Sequence, residues 1–192
     1  MVGVAFVVDF IAVGFFFYSY GVFFKAIAEE FGGSRFGVSL GIAISSVVGA
    51  LAAPLVGIAL DRFELKKVIG VGAASLALGF LILGFVRTQL EFYIAIGIFV
   101  GFGAGAMGHL ATAKLVANWF VRRRGLALGI AATGISVSGV VMPVLSAWII
   151  ESLDWRGGFL VYAAITGFLV LPAVWWLVIS RPEDVGLRPD GA

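Results

Sequence analysis

GIALDRFELKK, Gly57 to Lys67, is the stretch from which the rest of the chain is read. Only 12% of the 192 residues are charged, yet five of the seven from Asp61 to Lys67 are. Charge so concentrated marks a place where the polypeptide leaves one solvent for another. The surroundings agree: 61% of the residues are hydrophobic and the mean hydropathy is +1.12. An ordinary soluble domain is about 45–50% apolar and about 25% charged. No water-soluble fold hides that much apolar surface, so the expected solvent is a lipid bilayer.

Six apolar segments flank the polar stretches, at about 2–24, 38–60, 67–86, 92–116, 126–150 and 159–179. Each is near the roughly 20 residues that span a hydrocarbon core. Runs this long show no period-two alternation, so the expectation is an all-α membrane protein of six transmembrane helices, one bundle over 1–192, rather than a β-barrel. The first run has no basic region before it and is too long for a signal peptide, so it reads as a retained span. The linkers KAIAEEFGGSR, DRFELKK, RTQLE, NWFVRRRG and ESLDWRGG are short, which makes successive helices antiparallel neighbours. Linkers after helices 1, 3 and 5 hold four basic residues: Lys25, Arg35, Arg87 and Arg156. Those after helices 2 and 4, with the tail, hold nine: Arg62, Lys66, Lys67, Lys114, Arg122, Arg123, Arg124, Arg181 and Arg188. The positive-inside rule puts the second set, and both termini, in the cytoplasm.

Topology needs only lysine and arginine, and leaves Asp61 unexplained. An acid at the C-terminal end of helix 2 opposes the helix dipole. Arg62, Lys66, Lys67 or the N-terminus of another helix are the candidate compensations; a solvated loop of loosely paired charges is the plainer reading.

Gly57, Asp61, Arg62, Phe63, Lys66 and Lys67 together resemble the loop 2–3 signature of the major facilitator superfamily, roughly G-x-x-x-D-R-x-G-x-[RK]-[RK]. WFVRRRGLALGIAATG (Trp119–Gly134) resembles the loop 4–5 segment of its monocarboxylate and oxalate/formate antiporter branch. Asp154-Trp155-Arg156-Gly157 resembles the Gly-Trp-Arg entry to helix 6, and Arg181-Pro182-Glu183-Asp184 the segment that follows it. Glu64, Leu65 and Asp154 depart from the pattern; the first and last replace glycine. The resemblance covers nearly the whole chain and implies the N-terminal six-helix half of a transporter with two such halves. It implies that Asp61 pairs with Arg62 and approaches the second half, latching one state of an alternating-access cycle. That second half would be another part of the protein or a second copy of this chain.

Ionisable groups at membrane depth are candidate functional residues. His109 is eleven residues before Phe120, about 16 Å in; Lys114 is about 9 Å in and Asp9 about 10 Å, at 1.5 Å per residue. Equal depth suggests that Asp9 and Lys114 face one another across the inner cavity. The alternative has Lys114 snorkelling to the headgroups and Asp9 facing water. His109 lies about 140° from Lys114 around the helix. It reads either as a buried, hydrogen-bonded residue or as a proton or substrate site. Asp9, Val13, Phe16 and Tyr20 form one stripe, from which Tyr20 could donate to a carboxylate; Tyr18, on the other side, packs.

Gly103, Gly105 and Gly108 match G-x-G-x-x-G but lack the strand–turn–helix context of a dinucleotide site. Gly97, Gly101 and Gly105, and Gly125 and Gly129, have the small-xxx-small spacing of close helix packing in lipid. Pro54 and Pro143 are candidate kinks, and Gly134–Pro143 weakly resembles the fifth helix of some antiporters. No cysteine and a single histidine exclude disulfides, thiol chemistry and His-rich metal sites. The scattered net charge of +2 disfavours nucleic acid. Glu29, Glu30, Ser45 and Ser46 form no hydrolytic constellation, so no enzyme, metal or cofactor is expected. The function expected is secondary transport of a small organic anion such as a monocarboxylate or oxalate-like acid, coupled to protons or a counter-anion, in the cell (inner) membrane. A non-transporting membrane subunit is the alternative.

Overall fold

The structure, a computed structural model, describes residues 1–32 and 35–190. Gly33 and Ser34 of the first linker and the last two residues of the tail lie outside them. Among the described residues, five helical segments are long and apolar enough to cross a hydrocarbon core: α1 (Val2–Glu30), α2 (Arg35–Arg62), α3 (Leu65–Leu83), α4 (Gln89–Trp119) and Arg124–Leu177. The last has 54 residues. As a straight rod it would be about 80 Å long, more than twice the hydrocarbon thickness. It is not straight. Asp154 has φ 65° and ψ −180°, and the chain reverses there. Tyr162 Oη and Ser146 Oγ, 16 residues apart, are 2.7 Å from one another; a continuous helix would separate them by about 24 Å. Residues 124–153 and 155–177 are therefore two arms, α5 and α6.

Most of the sequence boundaries move outward in the structure, while helices 3 and 6 end a little earlier, at Leu83 and Leu177. Helix 1 runs on through KAIAEE to Glu30 because these are good helix formers, with Lys25 Nζ 3.9 Å from Glu29 Oε1 one turn along. Thr88 and Glu91 close a capping box at the start of α4. The linker ESLDWRGG is helical on both sides of Asp154. α1, α4 and α6 each contain a wider, π-helical turn, at Gly14–Tyr18, Ala95–Gly101 and Ile165–Val170. α4 also breaks at Gly108 (φ −76°, ψ −148°), where a Cβ would lie 2.6 Å from the Ala104 carbonyl oxygen. Pro54 and Pro143 lie inside helices that continue past them.

Lipid gives no hydrophobic drive between helices, so backbones must approach closely. A Cβ on Gly101 would lie 2.6 Å from Ser45 O, and one on Gly103 2.6 Å from Leu76 N, so α4 is clasped between α2 and α3. A Cβ on Gly97 would meet Ile44, and one on Gly105 makes ordinary contact with Gly49. Gly125 and Gly129 have nothing within 4 Å, so their spacing seats no helix of this bundle. α1, α3 and α6 meet in an aromatic cluster of Phe15, Phe23, Phe80, Phe159 and Tyr162. Outward, α2 and α5 present large exposed apolar side chains, among them Leu51, Leu55, Val140 and Trp148.

The linkers sort into two ends. At one, Arg156 donates to Glu30 Oε2 (2.5 Å) and Val86 O (2.8 Å), and the Trp155 indole N–H also donates to Glu30 (2.8 Å). This joins linkers 1–2, 3–4 and 5–6. At the other, Asn118 donates to Ser180 O and Trp119 Nε1 to Ile179 O, both 2.9 Å. Asp190 accepts the backbone N–H groups of Val121, Arg122 and Arg123. The nine basic residues counted from linkers 2–3 and 4–5 and the tail are thus gathered at this second end.

Candidate functional site

At the basic end, Lys114 Nζ donates to Asp61 Oδ1. This corrects two readings of the sequence: the partner of Asp61 is neither Arg62 nor the lysines of its own linker, and Lys114 does not face Asp9. Arg62, the next residue on the helix and also exposed, forms no ion pair with Asp61 among the described residues, whereas Lys114 does. Lys66 and Lys67 are taken by Glu64, each ammonium 3.1 Å from one of its oxygens. Those two contacts, the Lys67 hydrogen bond first, hold the Glu64 carboxyl below its ordinary value. Where the family pattern has glycine, Glu64 adopts an ordinary extended backbone (φ −61°, ψ 134°) before α3. Asp61, Arg62, Glu64, Lys114, Ser180 and Arg181 line an open polar cavity of about 560 Å³. Gly57 has no side-chain neighbour within 4 Å of a Cβ, and Arg122, Arg123 and Arg124 are exposed beside the tail.

A second polar group lies deeper, where α1 passes the break in α4. The Asp9 side chain is 1% exposed. Its Oδ1 accepts from Thr112 Oγ1 at 2.8 Å. Its Oδ2 lies 3.7 Å from His109 Nδ1 and has no hydrogen-bond partner. His109 itself is 59% exposed, so it is not the buried histidine of the plainer reading. His109 and Thr112 fall in the first turn of the half-helix His109–Trp119, whose N-terminal end favours a carboxylate. This is how α1 tolerates an acid at that depth.

Tyr20 is buried, and its hydroxyl donates to Val38 O at 2.6 Å; that commitment to the α2 backbone removes it as a free donor. Tyr18 packs its ring against Gly139 of α5. A third polar group escaped the sequence: Tyr162 Oη bridges Ser19 Oγ (3.0 Å) and Ser146 Oγ (2.7 Å), tying α1, α5 and α6. Thr112 was equally silent; its signal was its place three residues after His109, on the same face. Among the described residues, no cluster of three or more acidic, histidine or cysteine side chains could hold a metal ion.

A family model described as Major Facilitator Superfamily matches residues 8–192. The chain is 31% identical over 170 residues to monocarboxylate transporter 6 of Homo sapiens, covering 88% of this chain and 33% of that protein. It is 29% identical over 174 residues to monocarboxylate transporter 13 of Bos taurus, covering 91% and 41%. Among solved structures it resembles a POT family transporter in complex with a thioalcohol-conjugated peptide, with TM-score 0.77, 16% identity, and 98% of this chain and 40% of that chain covered. It also resembles a peptide transporter in complex with alafosfalin, with TM-score 0.75, 15% identity and coverage of 91% and 37%. At such identities the structural likeness is one of fold. The chain spans between 33% and 41% of the length of these proteins.

Proposed function

The chain belongs to the major facilitator superfamily, and from that premise we propose that it is the N-terminal six-span half of a secondary transporter for a small organic anion. The anion is a monocarboxylate or an oxalate-like dicarboxylate, carried unchanged by alternating access. The family match carries this reading, and the substrate class follows the names of the curated relatives. α5 and α6 count as separate spans, since arms of 30 and 23 residues each exceed the roughly 20 needed. The end that gathers linkers 2–3 and 4–5 and the tail is the cytoplasmic one, as the lysine and arginine bias requires, and both termini lie there. The membrane is the cell's inner membrane.

A substrate site near the midplane needs two repeats. The exposed apolar faces of α2 and α5 support a partner of the same kind: a second six-helix half, or a second copy. Asp61, with Lys114, Arg62, Lys66, Lys67 and Gly57 around it, is the inner latch, closing against that partner in one state and parting from it in the other. Uptake of radiolabelled monocarboxylates and oxalate into proteoliposomes containing the intact protein tests the reading. Saturable accumulation of one of them, lost in Asp61→Ala, is expected. Uptake no faster than in empty vesicles for every acid tried would refute it. The absence of cysteine lets single-cysteine variants report sidedness, and a label at Arg122 reached only from outside would overturn the orientation.

A further inference from the structure

The half-helix His109–Trp119 is pinned to one acid at its start and to another at its middle. Its first turn holds Asp9 of α1, through Thr112 at 2.8 Å and His109 at 3.7 Å. Five residues on, Lys114 holds Asp61 of α2. Immediately before it the backbone of α4 breaks at Gly108, a residue that no side chain can replace without meeting Ala104 O. A rigid rod, a hinge at one end and two charge contacts make a lever. One contact is buried and incomplete, because Asp9 Oδ2 has no hydrogen-bond partner.

We propose that Asp9 and His109 form a proton site at this hinge, and that protonation of Asp9 releases the half-helix and with it the Lys114–Asp61 contact. The proposal deepens the carrier reading and rests on it for its place in the cycle. The proton path is short. Nε2 of His109, open to water, takes a proton from hydronium and leaves a water molecule; the imidazolium donates its Nδ1 proton to Asp9 Oδ2, the N–H electron pair stays on the ring, and His109 is left neutral with its proton on Nε2. The neutral acid no longer feels the positive end of the half-helix, and the imidazole loses its anionic neighbour. Freed at its first turn, the rod tilts about Gly108 and draws Lys114 away from Asp61.

The surroundings leave few competitors. α2 over 36–60, α3 over 68–83 and α5 over 125–150 contain no titratable side chain. On α1, Tyr20 is bonded to Val38 O and Tyr18 packs on Gly139. On α6, Tyr162 is bonded to Ser19 and Ser146. On α4, Lys114 is turned to Asp61 and Tyr93 donates to Gly37 O at the far end. Among the described residues His109 is the titratable group placed against Asp9. A proton fits better than a metal cation, because the nearby Thr112 hydroxyl donates its hydrogen to Asp9 instead of offering it a lone pair.

Two measurements on the lipid-reconstituted protein, neither needing a substrate, test it. In infrared difference spectra across about pH 5 to 8, the window in which histidine operates, a protonated-carboxyl band should appear at low pH and vanish in Asp9→Asn. After a pH jump that band should develop about tenfold more slowly or worse in His109→Ala, and recover on adding imidazole, as for a lost acid–base group. Spin labels at Ile58→Cys and Ala117→Cys should report an α2–α4 distance that shifts between the two pH limits, and that stays at its low-pH value throughout in Asp9→Asn. A band absent from the parent, a band retained in Asp9→Asn, or an inter-label distance that ignores pH would overturn the proposal. Failed uptake of every acid would instead overturn the carrier reading and leave these signals unchanged.

Discussion

Asp154 occupies a backbone conformation that the monocarboxylate branch pattern assigns to glycine, and replacing it with glycine should stabilise the protein. With φ 65° and ψ −180° it is the one non-glycine residue of positive φ among the described residues. That region is essentially glycine territory, and holding another residue there costs about 1–3 kcal/mol. Asp154 recovers part of the cost, because its Oδ1 accepts the Gly157 N–H at 2.8 Å and caps α6. Glycine at the same cap position loses only a few tenths of a kcal/mol. It also loosens the unfolded chain by about 0.5–1 kcal/mol. The net for Asp154→Gly is a gain of about 1 kcal/mol. Asp154→Ala is the informative contrast: it keeps the strained Cβ and discards the cap, a loss of about 0.5–2 kcal/mol. The two variants should therefore differ by about 2 kcal/mol, which at about 2–4 °C per kcal/mol for a chain of this size is about 4–8 °C in Tm. Thermal unfolding followed by circular dichroism in one detergent reads this difference. Glycine and alanine variants that melt together below the parent would refute the strain argument and leave the cap as the whole of what Asp154 does.

Other substitutions follow from the same geometry. Gly103→Ala drives a Cβ against Leu76 N and Gly72 O, backbone that cannot turn aside, and should cost about 1–3 kcal/mol by overpacking. Gly125→Ala, with nothing within 4 Å, should be neutral or gain up to about 1 kcal/mol from helix propensity; equal melting points for the two would contradict the clasp on α4. Tyr162→Phe leaves Ser19 bonded to Gly14 O and Ser146 to Met142 O, so its loss should be modest, about 0.6 kcal/mol and under 2, measured as a shift in the detergent melting curve. The Glu64 carboxyl is held below its ordinary value. Its contribution is therefore fully present above the unfolded-state value and lost as pH falls through the folded one. Glu64→Gln should remove that acid-side dependence of linker 2–3 proteolysis, its rate at neutral pH already matching the faster one that the parent reaches in acid.

The helices were legible because their signal is carried by every residue: long apolar runs, interrupted by charge, leave one architecture in lipid. The grouping of linkers into two ends was legible for the same reason, since each helix reverses direction. Which side chains meet was not. Residue count put Asp9 and Lys114 at similar depth, yet Asp9 sits level with His109 and Thr112, deeper than Lys114; pairing also depends on rotation about the helix axis, and rotation accumulates error along the chain. Each π-helical turn shifts the phase of everything beyond it, and α1 and α4 each contain one. The stripe drawn through Asp9 and Tyr20 crosses such a turn. The break at Gly108 resets the phase of α4 again, carrying His109 and Thr112 to α1 and Lys114 to α2. Glycine at 108 read in sequence only as the last residue of a G-x-G-x-x-G run without dinucleotide context; its conformation follows from the Ala104 carbonyl beside it and from an acid on another helix, neither of which a single-helix pattern contains. The residues with most chemistry in this chain are thus the ones whose partners were hardest to foresee. A charge in lipid takes whatever partner the tertiary fold brings within reach, and local spacing has no vote in that choice.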